Sequence, residues 1–407
     1  MAQELENLLS ELTPPLKEWA TLASVIATSP PPHRWYNADR REYAALQPYL
    51  AQLAPHVQML WYVLQGQQEE PSSPWLSDEE DVEAVQKAIA FHQHAFELQP
   101  DWQPGRENIA WLYRSLGDYA RNEQSQWQQA IEHYNTALTF ASNDAELFFG
   151  RANAYVELKN YPVAIANFDR AIELNPDFTN AYSNRGVTKN YLQDWAGAQA
   201  DFDRAIALNP DLANAYSNRG VAKHDLGNHP AAIADFDRAI ELNPEFNGAY
   251  ANRGVAKRHL GDYPAAIADY DRAIELNPED ARAYYNRGII KHDLGDYPAA
   301  SADYDRAIEL NPDFAIAYSN RGNAKNYIQD WAGAQADFER ALQIEPRHAN
   351  AMYNLACCFA LQGQAARALE WLAQAIAGDE KSHAMAQTDS DFDGIRSDPR
   401  FAALVGA

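Results

Sequence analysis

The chain has 407 residues, with 33 Lys and Arg against 57 Asp and Glu, for a formal charge of −24. That surplus of negative charge excludes general affinity for nucleic acid or acidic membrane and favours basic partners. No stretch is long and apolar enough to span a bilayer, so no integral membrane insertion is expected, and Met1 to Ser10 carries Glu4 and Glu6 where an export signal is basic. The two cysteines, Cys357 and Cys358, are adjacent and too close for an ordinary structural bridge. They point to a reducing, cytoplasmic setting, with membrane-peripheral placement through a partner as the variant.

Residues 1–80 predict an irregular helical region with linkers. Apolar residues recur at helical spacing from Tyr43 to Gln65, whereas Pro30-Pro31-Pro32 and the Glu69 to Glu80 stretch, with Pro71 and Pro74, read as linkers. Residues 81–144 look like degenerate versions of the blocks that follow. Ala88, Ala95 and Pro100 fit the small-residue and proline positions of a second helix and its turn. Ala110, Leu116 and Gly117 read as a first helix whose turn is lengthened before Trp127, Ala130, Tyr134 and Ala137, so the residues between Gly117 and Trp127 are expected to protrude as a loop.

From Ala145 to residue 378 the same helical text recurs seven times. Pro176, Pro210, Pro244, Pro278, Pro312 and Pro346 stand 34 residues apart. With that proline as position 32, blocks begin at Ala145, Thr179, Ala213, Asn247, Ala281, Ala315 and Ala349. Position 8 is always Gly or Ala, and positions 20 and 27 are always Ala, which lets two helices approach closely. Each block predicts helix A over positions 2–14 and helix B to about position 30. Gly227, Gly261 and Gly295 lie just past helix A, where a left-handed cap costs glycine little. Asp262 or Asp296, followed by Tyr and Pro, predicts an acid and a proline in the first turn of helix B. A period of this length marks a solenoid with one quasi-continuous core.

An aromatic at 4, a small residue at 8, Tyr, Trp or His at 17, alanine at 20 and 27 and proline at 32 together resemble the tetratricopeptide-repeat (TPR) family over residues 145–378. The resemblance implies an all-α fold, a right-handed α-solenoid of antiparallel helix pairs. Two positions depart from the family pattern: position 7 is arginine in six repeats, and position 11 is Lys189, Lys223, Lys257, Lys291 and Lys325. Residues 379–407 resemble the closing segment after some bacterial TPR arrays, implying a C-terminal cap in which Phe392, Ile395, Phe401 and Leu404 cover the last repeat. The competing reading of that segment is a peptide ligand for another protein.

Position 7 has a partner at position 23. Arg185, Arg219, Arg253, Arg287 and Arg321 accompany Asp201, Asp235, Asp269, Asp303 and Asp337; in the last repeat Leu355 and Trp371 replace both at once, and Arg151 faces Asn167 in the first. Joint replacement favours a bidentate Arg–Asp brace between helices A and B over a solvated charged face. Such a brace is a structural site, not a catalytic one. Changing Arg253 to alanine is expected to cost about 3–5 kcal/mol if the pair is buried, and below about 1 kcal/mol if it lies on the surface.

In TPR proteins the concave face is lined by helix-A positions that include 6, 9, 12 and 13. Position 6 is Asn184, Asn218, Asn252, Asn286, Asn320 and Asn354, although asparagine is a poor helix former and an unusual core residue. A carboxamide can answer both the N–H and the C=O of a passing backbone. Helices pack about 8–10 Å apart and an extended chain advances about 3.3 Å per residue, so successive asparagines meet every third peptide unit. This ladder resembles that of the TPR portion of protein O-linked glucosaminyltransferases, without implying glycosyl transfer. The alternative is that the asparagines bind helix carbonyls or neighbouring repeats. Val187, Val221, Val255 and Ile289 at position 9 form a candidate apolar strip, with Tyr191, His224, Arg258, His259, His292 and Tyr327 farther along the groove.

No phosphate-loop or nucleophile-elbow motif is present. His224 and His259 lack a cysteine or carboxylate set that would complete a metal site, so no metal or other cofactor is expected, and histidine in the groove suggests pH sensitivity instead. The lysine and arginine set with which chaperone-tail binders clamp a terminal carboxylate is missing: position 5 is Ser183, Ser217, Ala251, Tyr285, Ser319 or Tyr353. The sequence therefore predicts a non-enzymatic scaffold for a protein or an extended peptide. The alternative is an accessory module of an enzyme or membrane-associated complex, with the N-terminal region capturing the partner.

Overall fold

A computed structural model describes residue 76 and residues 79–98, 103–122 and 125–406. The expectations for residues 1–10, 30–32 and 43–65, for Pro71 and Pro74 and for Pro100 lie outside those residues. All regular structure among the described residues is helical. The chain divides into two compact units, one ending at Leu208 and the other beginning at Asn209.

The first unit contains α1 (Glu79–Leu98), α2 (Gln103–Asn122), α3 (Trp127–Phe140) and then two helix pairs, α4 (Ala145–Glu157) with α5 (Tyr161–Leu174) and α6 (Thr179–Tyr191) with α7 (Trp195–Leu208). Ala88 and Ala95 are buried on α1. Of the loop expected between Gly117 and Trp127, residues 118–122 instead continue α2 as helix. Gly117 is a close-approach residue and not a helix stop: a Cβ there would lie 2.8 Å from the Tyr134 ring. The Tyr134 hydroxyl donates to Asp118 at 2.6 Å, which ties the extra helical turn to α3.

The second unit continues the pairs: α8 (Ala213–Asp225) with α9 (His229–Leu242), α10 (Asn247–His259) with α11 (Tyr263–Leu276), α12 (Ala281–Asp293) with α13 (Tyr297–Leu310), α14 (Ala315–Tyr327) with α15 (Trp331–Ile344), and α16 (Ala349–Leu361) with α17 (Ala365–Gly378). Each A helix spans positions 1–13, and position 15 adopts positive φ. That residue is Gly227 (80°), Gly261 (78°), Gly295 (81°) and Gly363 (72°), but Lys159 (57°), Gln193 (60°) and Gln329 (62°) hold the same conformation. The acid expected within the first turn of helix B stands one residue earlier, as its N-cap. Asp262, Asp296 and Asp330 accept from the backbone N–H of Ala265, Ala299 and Gly333, which satisfies one of the helix's orphan donors.

Helix B turns its position-20 alanine, position-24 aromatic and position-27 alanine fully inward. The aromatic ring lies on the bare backbone of position 8. A Cβ on Gly220 would fall 2.7 Å from Phe236, and one on Gly322 would fall 2.7 Å from Phe338. Small residues at position 8 thus bring the pair together, and each buried ring contributes about 1.5–3 kcal/mol.

After α17 come α18 (Lys381–Thr388), a 3-10 turn (Ser390–Ile395) and α19 (Pro399–Val405). Phe392, Ile395, Phe401 and Val405 join Leu355, Phe359 and Leu372 in one buried cluster, with Leu404 packed at its margin. Arg396 fastens the segment by donating to the carbonyls of Gln387 (2.6 Å) and Asp389 (2.7 Å).

Candidate functional site: the inner face of the A helices

The Arg and Asp residues paired by the sequence meet in every middle repeat. Arg253 Nε donates to Asp269 Oδ2 at 3.0 Å and its Nη2 to Oδ1 at 2.6 Å, a two-pronged contact that recurs at Arg185–Asp201, Arg219–Asp235, Arg287–Asp303 and Arg321–Asp337. The aspartates are buried, at 3–4% exposure.

Two members of this network were not legible from the pairing. The remaining Arg253 nitrogen, Nη1, reaches back to Asp237 of the preceding repeat at 2.6 Å, and Arg185, Arg287 and Arg321 reach Asp169, Asp271 and Asp305 in the same way. Lys257, at the other departing position, holds Asp269 Oδ2 at 2.8 Å. Each buried aspartate therefore answers two cations, and each of these four arginines answers two aspartates. Burial alone would lower the Arg253 guanidinium, but hydrogen bonds to Asp269 and Asp237 outweigh it and hold the group above its ordinary value. The position-4 tyrosine lies over the same guanidinium, Tyr250 at 5.4 Å from Arg253.

The six position-6 asparagines are all half-buried. Asn184 Nδ2 donates to Asn153 Oδ1 (2.8 Å) and Asn320 Nδ2 to the Tyr285 hydroxyl (3.0 Å), so these two bridge adjacent repeats. The side chains of Asn218, Asn252, Asn286 and Asn354 form no hydrogen bond among the described residues. Val187, Val221, Val255 and Ile289 are half-buried beside them. In the first unit, Asn153, Val156, Asn184, Val187 and Tyr191, with Trp127 and Arg121, line an open depression of about 580 Å³.

Farther along the A helices, positions 12 and 17 of one repeat meet position 13 of the next. In the first unit Tyr161 and Tyr191 stack at 5.2 Å. In the second, His292 stands edge-on to Tyr297 and Tyr327, which stack at 4.4 Å and 3°. Arg258 pairs with Asp293 at 3.5 Å across another such junction. His224 and His259 meet there too, but with His229, a residue overlooked by a reading confined to the A helices. Its signal was position 17, the one place where the recurring Tyr or Trp becomes His. Burial, reinforced by His259 and His229, pushes His224 below the usual imidazole range against the pull of Asp225. His292 is likewise lowered by burial, and its Nε2 is buried without a partner.

Cys357, Asp389 and Asp391 also converge, with ligand atoms within 4.8 Å of one another. Asp389 is committed there: it accepts from the Tyr353 hydroxyl (2.8 Å) and from the Asp391 N–H (3.0 Å). Burial pushes the Cys357 thiol well above its usual range and Cys358 up to about 11, so neither is an ionised nucleophile near neutrality. No helix among the described residues is long and apolar enough to cross a membrane.

Family models described as TPR repeat or tetratricopeptide repeat match residues 119–159, 152–189, 190–227 and 256–295, residues 213–246 and 281–314, and residues 313–381, together more than half of the chain. Among curated proteins, the Hsp70-Hsp90 organizing protein of Triticum aestivum is 27% identical over 119 residues, which cover 26% of this chain and 20% of that protein. Protein SGT1 homolog of Oryza sativa subsp. japonica is 38% identical over 61 residues, 15% of this chain and 17% of that protein. The chain thus spans a fifth or less of the length of these relatives. Among solved structures, YrrB, titled a TPR protein with an unusual peptide-binding site, is 25% identical with a TM-score of 0.38, covering 46% of this chain and 95% of that one.

Proposed function

The chain belongs to the tetratricopeptide-repeat family, whose arrays generally mediate protein–protein and protein–peptide interaction, and on that footing we propose that it is a non-enzymatic scaffold gripping an extended polypeptide by its backbone along the A helices. One observation carries this reading. Asn218, Asn252 and Asn286 stand in consecutive repeats, half-buried and with no hydrogen-bond partner among the described residues. A carboxamide in that state has lost part of its hydration and gains from a ligand that offers both a donor and an acceptor. Val221, Val255 and Ile289 beside the amides supply apolar contact that is indifferent to the ligand's sequence.

The name of the wheat relative associates that protein with Hsp70 and Hsp90. The residues here favour a different ligand, because position 5 carries phenylalanine, serine, alanine or tyrosine and never the lysine that a chaperone-tail clamp needs. An internal stretch of polypeptide, held without its carboxyl terminus, fits the neutral amides better.

The test is selection of random 12-residue peptides on the intact protein, followed by affinity measurement with labelled survivors. Replacing Asn218, Asn252 and Asn286 together by alanine should weaken binding tenfold or more, since each amide hydrogen bond is worth about 0.5–1.5 kcal/mol. Helical content and melting should not fall, since alanine is the better helix former. Equal affinity for the triple variant removes the ladder reading.

A further inference from the structure

His224 lies in the last turn of α8, His229 opens α9 and His259 ends α10, so three helices of two successive repeats deliver three imidazoles to one place. The ring centroids lie 4.7, 4.7 and 5.1 Å apart. His224 Nδ1 and His229 Nδ1 are 3.1 Å apart, a contact that requires one ring to be protonated at Nδ1 and the other at Nε2. His259 Nδ1 faces the Val255 carbonyl at 2.9 Å. As the donor in that bond it leaves the Nε2 lone pair free.

We propose that His224, His229 and His259 form a binding site for a single divalent transition-metal ion of the imidazole-preferring kind, with Zn²⁺ as the reference ion. Two nitrogens bound to zinc at about 2.0–2.1 Å with tetrahedral angles sit roughly 3.3 Å apart. The His224–His229 pair already stands near that spacing, and a cation entering between them replaces the shared proton. His259 is the third ligand, and it is the exposed member. Its ring must turn away from the Val255 carbonyl to bring Nε2 to the other two, since the three histidines are not gathered as tightly as Cys357, Asp389 and Asp391. Exposure gives it room to do so and gives the ion a way in. Asp225, next to His224 and exposed, contributes negative charge beside the imidazoles.

The same slot elsewhere shows what histidine gives up. His292, Tyr297 and Tyr327 fill it with a parallel tyrosine stack, and so do Tyr161 and Tyr191 in the first unit. Those rings stack face to face. Three imidazoles repel one another once protonated, a cost the stacked tyrosines do not carry. A cation that binds all three neutral rings reverses that balance.

The experiment uses untagged, full-length protein stripped with chelator and titrated with Zn²⁺ by calorimetry, and with Co²⁺ by absorption to report nitrogen ligation. The expected result is one ion per chain at micromolar affinity or tighter, with affinity falling as pH drops through the imidazole range. The double variant His229→Tyr/His259→Tyr reproduces the residues of the Tyr297–Tyr327 junction. It should keep its metal-free melting temperature while binding Zn²⁺ at least tenfold more weakly, and His259→Gln alone should also weaken binding. Cys357→Ser should bind as the parent does. The proposal fails if binding does not saturate, if the tyrosine pair leaves the affinity unchanged, or if Cys357→Ser is the variant that loses the ion.

Discussion

The repeat at residues 247–280 and the one at residues 349–378 solve the same packing problem with opposite chemistry. In the first, Arg253, Lys257 and Asp269 fill the space between helices A and B with a fully partnered ionic network. In the second, the same three positions are Leu355, Phe359 and Trp371, and the space becomes part of the apolar cluster that also takes up Phe392 and Phe401. The apolar solution ends a series, because it has no arginine to reach back to the preceding repeat. The ionic solution costs desolvation and returns little net stability, but the second arm of Arg185, Arg253, Arg287 and Arg321 joins its repeat to the one before.

That contrast can be broken most forcefully at the aspartate. Asp269→Ala leaves Arg253 and Lys257 without their shared buried anion and should cost about 3–5 kcal/mol in urea denaturation. Arg253→Ala should cost less, about 2 kcal/mol, because Lys257 still neutralises Asp269; this lowers the range expected from sequence for an isolated pair. Replacing all three by leucine imitates the last repeat and should leave stability within about 1 kcal/mol of the parent. A triple variant as damaged as Asp269→Ala would mean that the network itself, and not its incomplete removal, holds the repeat.

Smaller effects sharpen the comparison at its edges. The Tyr270 hydroxyl is buried without a partner where Phe338 stands in a later repeat, so Tyr270→Phe should stabilise by about 1 kcal/mol. Gln193 and Gln329 hold a left-handed turn that glycine occupies in four repeats, and either change to glycine should relieve about 1–2 kcal/mol, less about 0.4–1 kcal/mol for the entropy that glycine adds to the unfolded chain. Finally, burial holds His224 and His292 below their ordinary range. The unfolded chain then takes up protons first, so stability is full above about pH 6.5 and declines as pH falls through the imidazole range. Replacing both histidines by asparagine should flatten that slope in thermal melts.

The period, the helix pairs and the Arg–Asp partnership were readable because residues at the two ends of a contact change together between repeats. The lysine carried the same signal and was read only as a departure: Phe359 replaces it in the repeat that loses the aspartate, and Tyr155 stands beside Asn167 in the first. The backward partners Asp169, Asp237, Asp271 and Asp305 were invisible for the converse reason, since Glu339 keeps the acid even though no arginine follows at Leu355. His229 was missed because which position-17 side chain meets which position-13 side chain depends on the offset between repeats, and no pattern within one repeat encodes that offset. Gly117 misled because glycine serves both as a helix stop and as a bare surface for a neighbouring ring, and only the position of Tyr134 distinguishes the two.

The backward arm of each arginine also bears on how such a chain can change length. Insert or delete one complete 34-residue unit within residues 247–348, and each position-7 arginine that remains there still finds one aspartate ahead and one behind. Cut the series at any other interval, and buried charges on both sides of the junction lose their partners. The network therefore acts as a filter on recombination: it tolerates changes in copy number by whole units and penalises those that shift the reading of the repeat. The near-identity of residues 184–195 and 320–331, four units apart, is the kind of trace that copying by whole units leaves.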